Sequence, residues 1–364
     1  MCHHKSHHPI QCIIPPYMSD KLLDEASKTK LPLILKTDLR NTRFRSDRAF
    51  FAKLTETQRA ALIPQPKPTA KPVMKMQVYD MQHDTVISKG KLVWDNGKEK
   101  KKPLDADTKN IVAAGTATWD MYFQIFGRNS VDNLGMVLKH YIHYDNKYDN
   151  AFWDGQRMVY GDGDGKIFGS FTADPDIIGH ELTHGVTQYE SGLEYHMQSG
   201  ALNESVSDVF GIMIKQRLLN LDVKKSKWLI GENVLKGAKY ALRSMKAPGT
   251  GYVNHPDLGT DPQPATFDKL VILPDTDRGD WGGVHLNSGI TNFAFYVTAF
   301  NLGGFSWERA GRIWYAALTD IQNLKPTASF SDFKNLTIQK AELLFGTGSL
   351  EAKAVTDAWN EAKV

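Results

Sequence analysis

HELTH, at residues 180–184, places His180 and His184 four positions apart and puts Glu181 directly after the first of them. On an α-helix this spacing brings both imidazoles to one face, one turn apart, with the carboxylate beside them. Two neutral imidazole nitrogens suit Zn²⁺, and the carboxylate is able to reach a water molecule at the metal. The stretch therefore predicts a helix that carries two metal ligands and a general base.

A third metal ligand is expected from ALNESVSDVFG at residues 201–211, which has the pattern of a second helix. Nineteen residues separate His184 from Glu204 in this stretch. Two histidines and one glutamate leave a coordination position open, which is typical of catalytic zinc, because structural zinc is closed by four protein ligands. Asp208 lies four residues beyond Glu204 on the same helical face, and we expect it to accept the other N–H of a ligand imidazole.

The patterns on either side of this motif predict an α+β protein with two lobes. Residues 73–178 carry mostly strand patterns, namely VYDM, TVISKG, KLVW, MVLKHYIHY and AFWDGQRMVYGDG, with a helical pattern over Ile111 to Phe126. Residues 179–364 are mostly helical in pattern. A cleft between two lobes is the usual place for a substrate site, and the metal motif lies at the predicted junction.

Residues 1–72 are predicted to form a separate segment, called the leader below. It ends in IPQPKPTAKP, whose alternate prolines oppose helix and sheet pairing and favour an extended linker that a protease can reach. Helices are predicted over Met18 to Ser27 and over Ser46 to Leu62. The leader holds 13 Lys and Arg against 6 Asp and Glu, whereas the rest holds 31 against 35. Either the leader docks on a mildly acidic body, or these charges are solvated surface.

Composition narrows the class of protein. The 364 residues are 41% hydrophobic and 23% charged, which is ordinary for globular lobes with substantial cores. A dispersed net charge of +3 gives no nucleic-acid footprint, and no apolar run is long enough for a membrane span. The start, MCHHKSHHPIQCIIPPYM, lacks the pattern of a secretory signal, so we expect a cytoplasmic location or export by a non-Sec route.

Four blocks of the sequence resemble the thermolysin family of zinc metallopeptidases and occur in that family's order. They are NAFWDGQRMVYGDGDG from Asn150, HELTHGVTQYESGLEY from His180, SGALNESVSDVFG from Ser199 and GGVHLNSGITN from Gly282. The resemblance covers most of residues 74–364 and implies a two-lobed neutral endopeptidase that acts on proteins or peptides. It implies zinc ligands His180, His184 and Glu204, a general base Glu181, transition-state stabilisers His285 and Tyr195, and Asp280 as the residue that orients His285.

The resemblance also implies a substrate site. Asn150, Ala151 and Arg243 would bind the substrate backbone, although by residue type alone a turn asparagine and a surface arginine are the ordinary interpretations. An apolar pocket after the scissile bond would favour cleavage on the N-terminal side of bulky hydrophobic residues, while the same side chains would also suit ordinary core. The implied pocket residues are Phe168, Phe171, Ile177, Ile230, Val234 and Leu242.

The leader resembles the short precursor segment of protealysin-like enzymes, in particular CIIPPYM and the helix after it. This resemblance implies a propeptide that occupies the cleft as an intramolecular inhibitor, until the enzyme itself cuts the chain near the proline-rich linker. Cys12 has two interpretations. Its thiolate could cap the open zinc position, or the side chain could pack beside Ile13 and Ile14.

Calcium is the point at which the sequence departs from the family. Of the family's double calcium site, the chain retains Asp176 and Glu232, whereas Lys215, Lys227 and Leu229 stand at other ligand positions. Ca²⁺ needs several hard oxygen ligands, and an ammonium group among them repels the ion while replacing part of its charge. Structural calcium is therefore not expected.

Three other classes of protein share parts of this pattern. A zinc aminopeptidase spaces the third ligand one residue shorter and carries a GAMEN-type signature, and the sequence has neither feature. A catalytically restrained binding protein on the same scaffold would be expected to lose Glu181 or His285, and both are present. A structural zinc protein would not leave a coordination position open.

Overall fold

The computed structural model describes residues 12–24, 37, 72–98, 104–237 and 239–364. The predicted helix over Ser46 to Leu62 and the proline-rich linker before residue 72 lie outside these ranges. Within them, none of the helices is long and apolar enough to cross a membrane.

A five-stranded sheet lies in the first half of the chain. Its strands are β1 Met76–Asp80, β2 Lys91–Asp95, β3 Leu138–Ile142, β4 Ala151–Trp153 and β5 Met158–Tyr160. They lie in the order β2-β1-β3-β5-β4, with the three central strands parallel and the two outer strands antiparallel to their neighbours. All residues of β4 and β5 are buried, so these strands lack an exposed face although their sequence alternates.

One predicted strand is wrong. TVISKG was expected to pair in the sheet, but Ile87–Lys89 forms a 3-10 turn. The side chain of Asp84 accepts the backbone N–H groups of Thr85 and Val86 at 2.7 and 2.9 Å, and the backbone N–H of Lys89 donates to the carbonyl of Val86 at 2.9 Å. Because these bonds close the chain locally, its backbone groups are used within the turn rather than on a neighbouring strand.

Eight α-helices lie in the described ranges, and most of them follow the sheet in the chain. They are α1 Pro16–Asp24, α2 Ala106–Phe126, α3 Pro175–Tyr189, α4 Met197–Leu218, α5 Asp280–Leu302, α6 Ala310–Leu318, α7 Phe330–Phe345 and α8 Leu350–Glu361. α2 begins before the predicted Ile111 because Asp105 caps it, its side chain accepting the N–H of Thr108 at 2.6 Å. α1 begins at Pro16, where the missing N–H of proline costs no helical hydrogen bond.

The two helices that carry the metal motif are packed with their backbones in close contact. Every residue of α3 from Asp176 to Thr187 is buried, and so is most of α4. A Cβ atom added at Gly211 would lie 2.5 Å from the carbonyl oxygen of Asp176, so only glycine allows this approach. α3 also spans the predicted lobe boundary at residue 178, which makes it the element shared by the two halves.

A short two-stranded sheet completes the surroundings of the site. It pairs β6, Leu229–Ile230, with β7, Arg243–Ser244, in antiparallel fashion. This small sheet holds Arg243 in the interior, where the residue is 1% exposed. The predicted α+β architecture, with a sheet-containing half followed by a helical half, is confirmed.

Candidate active site

The three predicted metal ligands converge between α3 and α4. Nε2 of His180 lies 2.9 Å from Nε2 of His184. The carboxylate of Glu204 reaches across from α4, with oxygens 3.5 Å from Nε2 of His180 and 3.3 Å from Nε2 of His184. All three side chains are buried, and they form a triad of ligand atoms suited to one metal ion.

The hydrogen bonds at Nδ1 of His180 and His184 determine which ring nitrogen is left to bind a metal. Nδ1 of His180 lies 2.8 Å from Oδ1 of Asp208, and Nδ1 of His184 lies 2.9 Å from Oδ1 of Asn203. Because these oxygens accept hydrogen bonds, each Nδ1 carries the proton and each Nε2 presents its lone pair. Two lone pairs facing each other beside a carboxylate are favourable only around a cation, and this nitrogen and oxygen set fits Zn²⁺.

Two neighbours of His184 were not predicted from the sequence. The side-chain amide of Asn203 donates to the carbonyl of Leu193 at 2.9 Å, which turns its oxygen toward the imidazole. Ser207 also places Oγ 2.9 Å from Nδ1 of His184. Their positions in the sequence give a weak signal, since Asn203 precedes the ligand Glu204 and Ser207 lies one turn after Asn203.

Glu181 lies on the side of α3 that faces the edge strand β4. Its Oε2 accepts the backbone N–H of Trp153 at 3.1 Å, and the side chain is buried. The carboxylate thus lies at the sheet edge along which an extended peptide can pair, on the residue next to the ligand His180. This is the position in which a general base would meet both a bound peptide and the ligands.

His285 and Tyr195 are brought together beside Glu204. Nε2 of His285 lies 3.1 Å from the hydroxyl of Tyr195, and that hydroxyl also donates to Glu204. Asp280 accepts from Nδ1 of His285 at 2.5 Å and from its backbone N–H at 2.9 Å. Burial lowers the pKa of His285, but the charges of Glu204 and Asp280 outweigh this and raise it to about 9. The raised pKa favours the protonated, donating form of His285.

An unusual backbone at the start of α5 makes the contact between Asp280 and His285 possible. Asp280 and Trp281 have φ of 51° and 50°, and the next residue, Gly282, has φ of 84°. Residues other than glycine rarely adopt positive φ, and such strain is concentrated at functional sites. A Cβ atom at Gly282 would lie 2.2 Å from Sδ of Met197, but that exposed, flexible side chain can move, so the positive φ is what requires glycine here.

Asn150, Ala151 and Arg243 contact the leader where they are predicted to contact a substrate. The backbone N–H of Ile13 donates to the carbonyl of Ala151 at 3.3 Å, and the N–H of Ile14 donates to Oδ1 of Asn150 at 3.2 Å. Nη1 of Arg243 donates to the carbonyl of Ile13 at 3.1 Å. All three predicted residues therefore bind one extended segment of backbone.

The thiol and the backbone carbonyl of Cys12 make separate contacts. The carbonyl oxygen of Cys12 lies 2.9 Å from Nε2 of His285, whereas Sγ donates to the carbonyl of Ile14 at 3.4 Å. The side chain packs in a small apolar cluster with Tyr144, Tyr148 and Phe152, among others. Of the two interpretations of Cys12, the structure agrees with packing.

The six predicted pocket residues are all buried and belong to the same apolar cluster as Ile13. The rings of Phe168 and Phe171 lie 5.9 Å apart between centroids. The backbone N–H of Leu242, just before β7, donates to the carbonyl of Ile230 in β6 at 2.9 Å. The cluster includes most of the core, so these positions are equally part of the hydrophobic interior.

Lys215 lies among the carboxylates Asp174, Asp176 and Glu232, called the carboxylate cage below, where the sequence gives no expectation of calcium. Its Nζ lies 2.9 Å from Asp174, 2.8 Å from Asp176 and 3.9 Å from Glu232. Burial lowers the pKa of Lys215, but the two aspartates outweigh this, so its pKa is raised and the ammonium stays charged. Lys227 also pairs with Glu232. Two ammonium groups thus offset most of the negative charge of the three carboxylates at this place.

Taken together, the fold and site define a metallopeptidase of the HExxH type, with a third ligand on a second helix. Two family models match the chain: "Thermolysin metallopeptidase, catalytic domain" over residues 52–188 and "Thermolysin metallopeptidase, alpha-helical domain" over residues 191–364. The chain therefore belongs to the thermolysin family of metallopeptidases, and it is a zinc-dependent endopeptidase.

Individual relatives agree with this membership. An "Extracellular metalloprotease" of Pectobacterium carotovorum subsp. carotovorum is 47% identical over 277 residues, covering 76% of this chain and 77% of the relative. "Protease PrtS" of Photorhabdus sp. (strain Az29) is 43% identical over 289 residues, 79% of this chain and 76% of the relative. The solved precursor of protealysin, a metalloproteinase from Serratia proteamaculans, matches with a TM-score of 0.82 at 40% identity, covering 97% of this chain and 99% of the other.

Proposed function

We propose that the chain is the precursor of an endopeptidase in which Glu181 acts as general base and His285 and Tyr195 stabilise the transition state. The observation that carries the proposal is the arrangement around the leader carbonyl of Cys12, which lies 2.9 Å from Nε2 of His285. A peptide carbonyl at this position lies beside the donors that a tetrahedral oxyanion needs. His180, His184 and Glu204 would hold the zinc ion, which would supply a Lewis acid for the carbonyl and lower the pKa of water.

Each protein group has a defined part in moving protons and charge. Glu181 takes a proton from the attacking water and later passes it to the leaving amine, so no covalent acyl-enzyme is needed. Protonated His285, held by Asp280, donates through Nε2 to the developing oxyanion. Burial and the nearby charge of Glu204 raise the pKa of Tyr195 well above its ordinary value, so its hydroxyl keeps the proton that it donates.

Preference for a bulky hydrophobic residue after the scissile bond follows from the apolar cluster. The side chain of Ile13 is fully buried there, next in the chain to the carbonyl that meets His285. Burying a side chain of this size is worth about 1.5–3 kcal/mol, which is a moderate discrimination. The pocket residues of the proposal are Phe168, Phe171, Ile177, Ile230, Val234 and Leu242.

The leader is proposed to inhibit the enzyme until it is removed. Cys12, Ile13 and Ile14 are 1%, 0% and 4% exposed, and they use the hydrogen-bonding groups that a substrate backbone needs. A substrate therefore has to compete with a segment that is covalently attached and thus present at a high effective concentration. Removal of the leader near the proline-rich linker converts it into a separate, dissociable peptide.

The proposal is tested by casein hydrolysis with the purified precursor, before and after its own shortening. Glu181→Gln is expected to abolish both shortening and casein cleavage while zinc still binds, because the ligands remain. Glu308→Gln, which changes an exposed carboxylate, is the matched control and should behave as the parent chain. Casein cleavage that persists in Glu181→Gln would overturn the mechanism, and zinc binding without any cleavage by the parent chain would indicate a restrained binding protein.

A further inference from the structure

The peptide unit between Cys12 and Ile13 is the one that the catalytic groups hold. Its carbonyl oxygen lies 2.9 Å from Nε2 of His285, and its N–H donates to the carbonyl of Ala151 at 3.3 Å. Both polar atoms of one peptide group are thus fixed by residues of the site. Among the leader residues that the structure describes, Cys12 alone places its carbonyl on His285.

The neighbouring bonds fix the register and direction of the leader. Cys12 forms an antiparallel bridge with Phe152 of β4, while Arg243 binds the carbonyl of Ile13 and Asn150 binds the N–H of Ile14. In an extended chain, a slip of one residue turns every side chain to the opposite face. A slip would therefore remove Ile13 from the apolar cluster as well as break these bonds.

We propose that the leader is bound as a substrate and that the enzyme hydrolyses its own chain between Cys12 and Ile13, a site separate from the linker. The inference rests on the proposed function, and it deepens it by naming the bond. The bulky apolar residue that the proposed specificity requires after the scissile bond is Ile13, which is 0% exposed. The sequence at this point thus meets the preference of the enzyme that holds it.

The reaction is an ordinary hydrolysis. Water adds to the carbonyl carbon of Cys12, and the bond from that carbon to the nitrogen of Ile13 breaks. Glu181 takes one proton from the water and transfers it to the departing nitrogen. The products are a carboxylate at Cys12 and an amine at Ile13, and nothing is oxidised or reduced.

The cut by itself does not clear the site, because the leader is also anchored beyond the bond. Met18 and Leu22 of α1 are 1% and 6% exposed and pack in the main apolar cluster. Pro15 joins Ile14 to Pro16, the first residue of this helix, and the two proline rings leave the connection little conformational freedom. A chain that begins at Ile13 therefore stays docked, and full activity still requires the second cut at the linker.

The full-length chain loaded with zinc is followed over time by intact mass and N-terminal sequencing. A species that begins at Ile13 is expected, and its rate of formation should not depend on protein concentration, because the bond is cut within its own molecule. Ile13→Pro should abolish this cut, since proline removes the N–H that Ala151 accepts and changes the scissile amide. Ile14→Pro removes the neighbouring N–H but leaves that amide, so the cut should persist, slowed by about tenfold or less.

A second measurement tests the register of the leader in the site and does not depend on catalysis. In the full-length Glu181→Gln chain, amide hydrogen exchange should show Ile13 and Ile14 protected, because both N–H groups are bonded in the interior. Casein cleavage with an intact bond between Cys12 and Ile13 would overturn the inference while leaving the proposed function standing. A new terminus at Ile14, or a rate that rises with protein concentration, would also overturn it, whereas loss of all cleavage would count against the proposed function itself.

Discussion

Asp208 joins a metal ligand to the residue that binds the leader backbone. Its Oδ1 accepts from Nδ1 of His180 at 2.8 Å and from Nη2 of Arg243 at 2.8 Å, and its Oδ2 accepts from Nε of Arg243 at 2.8 Å. Asn292 donates to the same carboxylate at 2.8 Å. Burial raises the pKa of Asp208, but Arg243 and His180 outweigh this, so its pKa is held below its usual value. One ionised carboxylate therefore orients two functional side chains.

Asp208→Asn is expected to weaken zinc binding by about 10–100-fold. A neutral amide no longer fixes the tautomer of His180, and it is a weaker acceptor than a carboxylate for the N–H at Nδ1. KM for peptides should rise in the same variant, since Arg243 loses its bidentate partner. Zinc affinity is measured by competition with a chromophoric chelator, and KM at saturating zinc. The control is Asp357→Asn on the exposed face of α8, and equal zinc affinity in both variants would contradict the assigned role.

Asp280→Asn is expected to move the alkaline limit of activity to lower pH. The pKa of His285 is raised to about 9, since the charges of Glu204 and Asp280 outweigh burial. A raised pKa means that the protonated donor is present below this value and is lost as pH rises through it, so removing one negative charge brings the loss to lower pH. At neutral pH, kcat/KM should also fall by about 10–100-fold. A pH profile of kcat/KM checks this, and an unchanged alkaline limb would refute it.

Lys215→Met is expected to destabilise the fold by about 3–5 kcal/mol, because it leaves two buried aspartates without their cation. Asp174 and Asp176 both lie within 2.9 Å of the ammonium. Urea unfolding of the inactive Glu181→Gln chain measures the loss without self-digestion. Lys353→Met breaks an exposed pair with Asp357 and should cost about 0.5 kcal/mol or less.

The effect of added calcium on stability is a second test of the carboxylate cage around Lys215. With the ammonium in place, added calcium should leave the urea midpoint of the parent chain unchanged, because the ion would be repelled by Lys215. In Lys215→Met, the bare carboxylates make a calcium-dependent gain in stability possible. A gain of similar size in the parent chain would show that calcium binds despite the ammonium group.

The sequence was sufficient where function depends on spacing along one helix. The distances from His180 to His184 and on to Glu204 determine which faces of α3 and α4 meet, so the triad could be predicted. Contacts that depend on packing between helices could not. Asn203 and Ser207 meet His184 only because the two helices approach closely at Gly211.

One predicted strand and the register of the leader also depend on contacts that the sequence pattern does not reveal. TVISKG has the β-branched residues of a strand, but Asp84 before it captures two N–H groups and starts a turn instead. The register of the leader depends on bonds to Asn150, Ala151 and Arg243, which are more than a hundred residues away in the chain. The sequence pattern of the leader carries no information about such distant partners. Which leader carbonyl lies at His285, namely that of Cys12, could therefore not be predicted from the sequence.

Arg243→Lys separates binding of the backbone from chemistry. A lysine keeps the charge but cannot hold Asp208 with two bonds and the carbonyl of Ile13 with a third. KM should rise by about tenfold or more while kcat changes less, because the lost bonds are made in the ground state and the transition state alike.

The same variant should be inhibited less by its own leader, since the bond to Ile13 is lost with the bond to substrate. Initial casein rates of the uncut precursor, relative to those of the shortened enzyme, report this directly. Arg312→Lys, an exposed arginine, is the control. A variant in which KM rises but the ratio of precursor to mature activity stays unchanged would mean that Arg243 binds substrate and leader differently, and that the leader does not lie in the substrate register.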